Sequence, residues 1–107
     1  MPAPLEQMLE ELRKAEQARD LLTELERRLA AGDQRALERY LTQLDQVAQS
    51  LPEADPMRLL IESAVGSARM QDAIQAGSDV SRSRSAIEGE ISTLQGAIQG
   101  IQARADS

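Results

Sequence analysis

The sequence contains no cysteine and no histidine among its 107 residues. Without them the chain cannot form a disulfide framework, the common nucleophile–base pairs or the usual zinc sites. A carboxylate-bridged metal site in a helical bundle normally adds a histidine three residues after a glutamate, which this chain cannot supply. We therefore predict a protein that is not an enzyme and that binds no cofactor and no metal.

Aromatic side chains are nearly absent as well, because there is no Phe, no Trp and only Tyr40. Aromatic residues each bury a large area, so an aliphatic core of this size contributes less to stability. A short chain also buries a modest fraction of its surface. This composition favours a long helical hairpin with a narrow apolar seam over a globule. It also predicts that another chain, either a partner or a second copy, completes part of the seam.

The formal net charge is −6, and the isoelectric point lies near 4.6. Affinity for nucleic acid comes mainly from clustered Lys and Arg, and base stacking needs aromatic side chains, so we expect no nucleic-acid partner. No apolar run approaches the length of a membrane span, and the N-terminus lacks the basic-then-apolar pattern of a signal peptide. We expect a cytoplasmic protein without membrane insertion.

The stretch Leu21–Leu51 predicts two leucine-striped helices that fold back on each other. Gly32 stands where a glycine ends a helix, and the carboxylate of Asp33 is placed to cap the next helix. A connection this short makes the two helices antiparallel. The second helix has the spacing of a coiled-coil seam, four, three, four and three. Its seam positions are Leu37, Leu41, Leu44, Ala48 and Leu51.

Two prolines interrupt the helical pattern after this hairpin. Pro52 and Pro56 each disfavour helical geometry in the residue before them, so the second helix should end near Leu51. Asp55 followed by Pro56 predicts a new helix, with the aspartate as N-cap and the proline in the first helical position.

Beyond this point the apolar stripe changes phase around residues 68–74 when it is read at heptad spacing. Either the helix breaks within residues 77–85, where Ser85 and Glu88 form a capping box, or one long helix presents two faces to two partners. We predict the break, because this segment is the poorest helix former in the chain. The expected helices span residues 5–31, 33–51, 56–76 and 80–103.

These elements predict a single all-α domain over residues 1–107. The expected architecture is an antiparallel helical hairpin extended to a three- or four-helix bundle with coiled-coil-like packing. The C-terminal half should be looser, since Gly89, Gly96 and Gly100 each disfavour helix by about 1 kcal/mol relative to alanine. A helix of this kind gains its order from docking.

An isoleucine-rich stripe on the last helix is the strongest candidate for a functional surface. Its residues recur every three or four positions, as on one face of a helix. Either they pack onto the hairpin as the fourth helix of a bundle, or they bind the apolar groove of a partner, and the two roles can coexist. The predicted partner-binding residues are Ile87, Ile91, Leu94, Ile98 and Ile101.

Arg82 and Arg84 form a second, smaller candidate, because they alternate with serines. They bind an anion, mark a phosphorylation target or belong to a flexible polar joint, and we favour the joint.

The hairpin LLTELERRLAAGDQRALERYLTQLDQVAQSL resembles the first half of flagellar export chaperones of the FliT and FlgN type. The matching features are the Gly32-Asp33 turn and the leucines on both sides of it, over about a third of the chain. The resemblance implies a small acidic chaperone that binds a secreted subunit before export and releases it through the C-terminal helix. The glycines and serines of the C-terminal half depart from that family.

Two other functions remain open on the sequence. The break at Asp55-Pro56 and the Ile-rich last helix are similar to small type III secretion needle or rod subunits, which polymerise. A coiled-coil scaffold protein is the third alternative. We expect a non-enzymatic protein that buries an apolar helix of a protein partner, with an export chaperone as the first choice.

Overall fold

The computed structural model describes residues 4–70 and 73–105. Within these ranges the chain forms four α-helices and no β-strand, so the all-α prediction is confirmed. The helices are α1 (Pro4–Ala31), α2 (Gln34–Gln49), α3 (Pro56–Arg69) and α4 (Ala73–Ala105).

The four helices pack as a closed ring of neighbours. α1 packs against α2 and α4, and α3 packs against the same two helices. Glu26 near the end of α1 pairs with Arg84 in the first half of α4, and Ser67 near the end of α3 bonds Asp79 near the start of α4. Each helix therefore runs antiparallel to its neighbours, as in an up-down-up-down four-helix bundle.

The core of this bundle is entirely aliphatic. All four helices contribute to it, and burying each large side chain favours the folded state by about 1.5–3 kcal/mol. Alanines such as Ala15, Ala18 and Ala64 are also fully buried, and their small side chains let the helix axes approach. The largest fully buried side chains are Leu22, Leu25, Leu44, Ile61, Val80 and Ile87.

The turn between α1 and α2 is a Schellman motif. Gly32 has a φ of 70°, the left-handed conformation that glycine adopts without strain. The amide of Gly32 donates to the carbonyl of Leu29 at 3.2 Å, and the amide of Asp33 donates to the carbonyl of Arg28 at 3.1 Å. The predicted cap by Asp33 is wrong, because its carboxylate makes no bond to the α2 amides and faces Arg28 at 3.4 Å instead.

The start of α3 agrees with the prediction. Asp55 is the N-cap, and its carboxylate accepts a hydrogen bond of 2.9 Å from the amide of Met57. Pro56 occupies the first helical position, where its missing amide hydrogen costs nothing.

The predicted boundary between the last two helices is wrong. α3 ends at Arg69 instead of residue 76, and α4 runs without interruption through residues 77–85. Ser85 lies inside α4, so the proposed capping box does not open a helix. Val80 and Ser83 are buried in the bundle, and this packing outweighs the weak helix propensity of the segment. The short interruption falls directly after Arg69, within the predicted region of the phase change.

The heptad spacing used for the prediction explains this error. The buried positions of α4 repeat every eleven residues, from Ala76 to Ile87 to Ile98. Eleven residues in three turns give 3.67 residues per turn, so the stripe stays on one face of a nearly straight helix. Counting back from Ile87 at heptad spacing would instead place Arg84 and Gly77 in the seam, and the structure leaves both half-buried beside it.

α1 and α4 are much longer than the two helices between them. α2 has 16 residues and α3 has 14, whereas α1 has 28 and α4 has 33. The ammonium group of Lys14 donates to the carbonyl of Ser50 at 3.0 Å, which marks where α2 ends beside α1. Beyond this point residues 4–13 of α1 and 94–105 of α4 form a two-helix extension, which we call the stalk. The molecule measures 53 × 22 × 20 Å.

Candidate protein-binding site

The isoleucine stripe faces the interior of the chain. Ile87 is fully buried, and Ile91 and Ile98 are 4 % and 6 % exposed. Ile87 and Ile91 belong to the main core of the bundle, whereas Leu94 and Ile98 are buried in the stalk outside that core cluster. Ile101 is half-buried near the end of α4. The stripe therefore packs within the chain, and contact between all five side chains and a partner requires the seam to open.

Apolar side chains on the α1 side of the stalk remain partly exposed. Leu9 is 44 % exposed, and Leu5, Met8 and Leu12 are half-buried. The reason is geometric: in the bundle, α2 and α3 cover the seam between α1 and α4, but both helices end before the stalk begins. A seam between two helices can bury only the side chains that point directly at the opposite helix. The stalk is about 15 Å long, and along this length α2 and α3 do not cover the seam between α1 and α4.

A groove of about 350 Å³ lies at the base of the stalk, where α2 and α3 would continue if they were longer. Leu51 and Pro52 of the α2–α3 connection form one side, and the first turns of α1 form the other. Its volume admits a few aliphatic side chains but not a whole helix. The remaining lining residues are Glu6, Gln7, Glu10, Glu11, Lys14 and Asp55.

Glu11 occupies an unusual position in this groove. One face of α1 is fully buried in the bundle at Ala15, Ala18 and Leu22, which are spaced by three and four residues. Glu11 lies four residues before Ala15 and therefore on the same face. In the bundle this face is core, but Glu11 is exposed because no residue of α2 lies opposite it. The carboxylate of Glu11 therefore lies in the groove, at the seam position that follows the last buried core position of α1.

The two cations closest to these carboxylates already have partners. Arg13 donates to both carboxylate oxygens of Glu10, and this hydrogen bond is the main cause that lowers the pKa of Glu10. The ammonium group of Lys14 is held by the carbonyl of Ser50.

The two helices of the stalk differ in charge. The α1 half carries Glu6, Glu10 and Glu11, whereas α4 has no charged residue between Glu90 and Arg104. The exposed positions of that part of α4 are serine, threonine, glutamine, glycine and alanine. The stalk also contains Arg13, which is paired with Glu10, and Arg104 in the last turn of α4. It therefore presents an acidic side on α1 and a side on α4 that is uncharged up to Arg104.

A larger groove, of about 610 Å³, lies at the opposite end of the bundle between the last turns of α1 and the first turns of α4. Ile74 lines it and is 88 % exposed, and Met70 nearby in the sequence is 70 % exposed. Residues 71 and 72, which follow Met70 in the sequence, lie outside the described residues, so no site is proposed at this end.

The arginines between the serines of α4 are parts of the fold. Arg84 pairs with Glu26 of α1 at 2.5 Å and with Glu88 at 2.8 Å, and the hydrogen bonds that its guanidinium donates to these two carboxylates raise its pKa. Arg82 lies 3.6 Å from Asp79. The predicted flexible joint is wrong, because both arginines lie within a continuous helix. Arg84 ties α4 to α1 where the chain was expected to break.

Neither a metal site nor a membrane span is found in the described ranges. Residues 4–70 and 73–105 contain no group of three or more acidic side chains placed to hold a metal ion. No helix within these ranges is both long and apolar enough to cross a bilayer.

Comparisons with protein-family models, with curated proteins and with solved structures found no match to this chain. The groove at the base of the stalk was not predicted from the sequence. Glu11 at a seam position was one available signal. The other available signal was that α1 and α4 are longer than α2 and α3. The predicted break within α4 concealed this difference in length.

Proposed function

We propose that this chain is a non-enzymatic helical protein that binds an amphipathic helix of a protein partner along the stalk. The observation that carries the proposal is the unequal length of the helices. α1 and α4 continue past the ends of α2 and α3, so the seam between them lacks the cover of those two helices in the stalk, where Leu9 is 44 % exposed.

A third helix laid along the stalk would supply the cover that α2 and α3 provide elsewhere. Burial of apolar surface contributes about 25 cal/mol per Å², and Leu9, Met8 and Leu12 all retain surface that such a helix would bury. Helix-in-groove recognition uses anchors at this spacing, three to four residues apart. Binding of this type needs no catalytic group.

The resemblance of the hairpin to export chaperones favours a secreted subunit as the partner and the cytoplasm as the place of binding. The stalk suits that role, because a chaperone of this kind shields an apolar helix of its client until export. The polymerising subunit and the coiled-coil scaffold remain the alternatives, and the experiment below gives each a distinct outcome.

The test uses a labelled amphipathic peptide of about 18 residues, which is five helical turns. Leucines occupy one face of its helix, at spacings of three and four residues, and glutamines occupy the other face. Fluorescence anisotropy should detect its binding to the native protein. Leu9→Gln should weaken that binding by about fivefold to tenfold, because it removes apolar surface from the proposed interface. Its melting temperature should change little, because the side chain is 44 % exposed.

Met70→Gln is the matched control, because Met70 is an exposed apolar side chain at the opposite end of the molecule. It should bind the peptide as the native protein does. Equal weakening by both variants, or no binding by the native protein, would contradict the proposal. Light scattering that grows with protein concentration alone would instead favour the polymerising subunit.

The aspartate variants Ile91→Asp and Ile98→Asp address the isoleucine stripe separately. Both side chains are buried, so each variant should lower the melting temperature strongly. If the folded fraction of these variants still binds the peptide with native affinity, the stripe serves as core only.

A further inference from the structure

We infer that the helix bound by the stalk is basic, with Lys or Arg beside its apolar face. This inference rests on the proposed function and specifies the chemistry of the partner. The inference is based on the charges around the groove at the base of the stalk. The groove is present because α2 and α3 end there.

Carboxylates from both sides line the groove. Glu6, Glu10 and Glu11 come from α1, and Asp55 comes from the α2–α3 connection opposite. Leu51 and Pro52 of the same connection give the groove its apolar lining. An amphipathic helix that inserts apolar side chains here brings its flanking positions next to these carboxylates. Cations at those flanks are favoured, and carboxylates there are repelled.

Cations of this chain do not neutralise the groove. Lys14 is the only cation that lines it, and its ammonium group is held by the carbonyl of Ser50. Arg13 is paired with Glu10, and the α4 side of the stalk carries no charge from residue 91 to residue 103. The stalk therefore keeps an excess of negative charge, which a basic partner helix can match.

Glu11 strengthens this conclusion, because it continues the line of core residues into the groove. A partner side chain that follows the bundle core along this line meets the carboxylate of Glu11. Bringing a carboxylate out of water is costly unless a cation accompanies it. An uncharged helix can cover the apolar part of the seam, but only a helix with a cation at this point also satisfies Glu11.

A second copy of this chain fits the same surface poorly. Two stalks packed side by side would place the carboxylates of Glu6, Glu10 and Glu11 against each other or against the neutral side of α4. The first arrangement sets like charges together, and the second sets the three carboxylates against a side of α4 that carries one cation, Arg104, in its last turn. A basic helix from a different protein is the occupant that the charges favour.

The experiment compares three peptides on the full chain: the neutral leucine–glutamine peptide, and two versions in which lysine or glutamate replaces the glutamines. The lysine peptide should bind at least about tenfold more tightly than the glutamate peptide at about 0.05 M salt. At about 0.5 M salt the ratio should fall toward one, because exposed charges are screened.

Charge-neutralising variants locate the effect. In the triple variant Glu6→Gln, Glu10→Gln, Glu11→Gln, the ratio of lysine to glutamate affinity should fall to about twofold or less. The control Glu24→Gln, Glu38→Gln, Glu62→Gln changes the net charge equally at positions outside the stalk, two exposed and one half-buried, each near an arginine. It should keep most of the preference, while both variants bind the neutral peptide alike.

The outcomes separate this inference from the proposed function. If the neutral peptide binds but lysine and glutamate peptides bind equally, the inference is wrong and the proposed function stands. If none of the three peptides binds, the proposed function fails. If both triple variants lose the preference for the lysine peptide equally, the preference is caused by net charge. That result would contradict the assignment of the preference to the carboxylates of the groove. Sedimentation that shows stalk-dependent dimers, abolished by Leu9→Gln, would assign the surface to a second copy and overturn the inference.

Discussion

At the scale of single residues, the clearest constraint lies at Gly32. Its φ of 70° lets the chain leave α1 and enter α2 within two residues, so that α2 returns along α1. Any other residue at this position would place a Cβ in the left-handed region, which costs roughly 1–2 kcal/mol. The other glycines that lie within the helices have no such requirement. A Cβ built on Gly89, for example, meets no atom within 4 Å.

We predict opposite effects for alanine at these two glycines. Gly32→Ala should destabilise the protein by about 1 kcal/mol or more, because of its positive φ. Gly89→Ala should stabilise it by up to about 1 kcal/mol, because Gly89 lies inside α4 with open space around it. Equilibrium unfolding in urea measures both changes. Equal effects of the two substitutions would contradict the assigned turn.

At the scale of elements, α4 is held in place by its neighbours and not by its own sequence. Serines and glycines make residues 77–85 a poor helix former. Burial of Val80 and Ser83, the hydrogen bond of 2.6 Å from Ser67 to Asp79, and the pairing of Arg84 with Glu26 connect the segment to α3 and α1. The hydrogen bond from Ser67 also lowers the pKa of Asp79.

The continuity of α4 predicts the effect of a proline in this segment. Ser85→Pro should lower the stability by about 3 kcal/mol or more, because it removes a helical hydrogen bond and clashes with the preceding turn. Ser85→Ala is the control and should be neutral or slightly stabilising, since Ser85 is exposed. Chemical denaturation compares the two. If both variants unfold at the same denaturant concentration, the chain has a joint here and the continuous helix is wrong.

At the scale of the whole molecule, the stalk makes the chain longer than a compact domain of the same size. A compact domain of 107 residues has a radius of gyration of about 13 Å. The value for this chain is 15.3 Å, and its longest dimension is 53 Å. The difference comes from α1 and α4, which extend together beyond the four-helix part.

Small-angle X-ray scattering tests this shape. At low protein concentration the radius of gyration should be at or slightly above 15.3 Å, because hydration adds to the value for the Cα atoms. A value near 13 Å would mean that the stalk folds back onto the bundle and that its seam is not accessible. A concentration series serves as the control for association, since forward scattering should then stay constant.

Several features followed from the sequence because their causes are local. Gly32 favours the tight turn by its own backbone freedom, and Asp55 with Pro56 starts α3 through chemistry within three residues. The leucine spacing of α2 predicted its buried face, and the missing histidine and cysteine removed whole classes of site. These signals do not depend on what packs against them.

The continuity of α4 and the site at the stalk were decided by tertiary structure. α4 passes through residues 77–85 because burial against α1 and α3 outweighs helix propensity, and no local pattern reports that burial. The groove exists because two helices end before their neighbours, which is a relation between distant segments. The isoleucine stripe, predicted as a binding surface, is mostly covered by α1, since the same apolar pattern serves a core and an interface equally well.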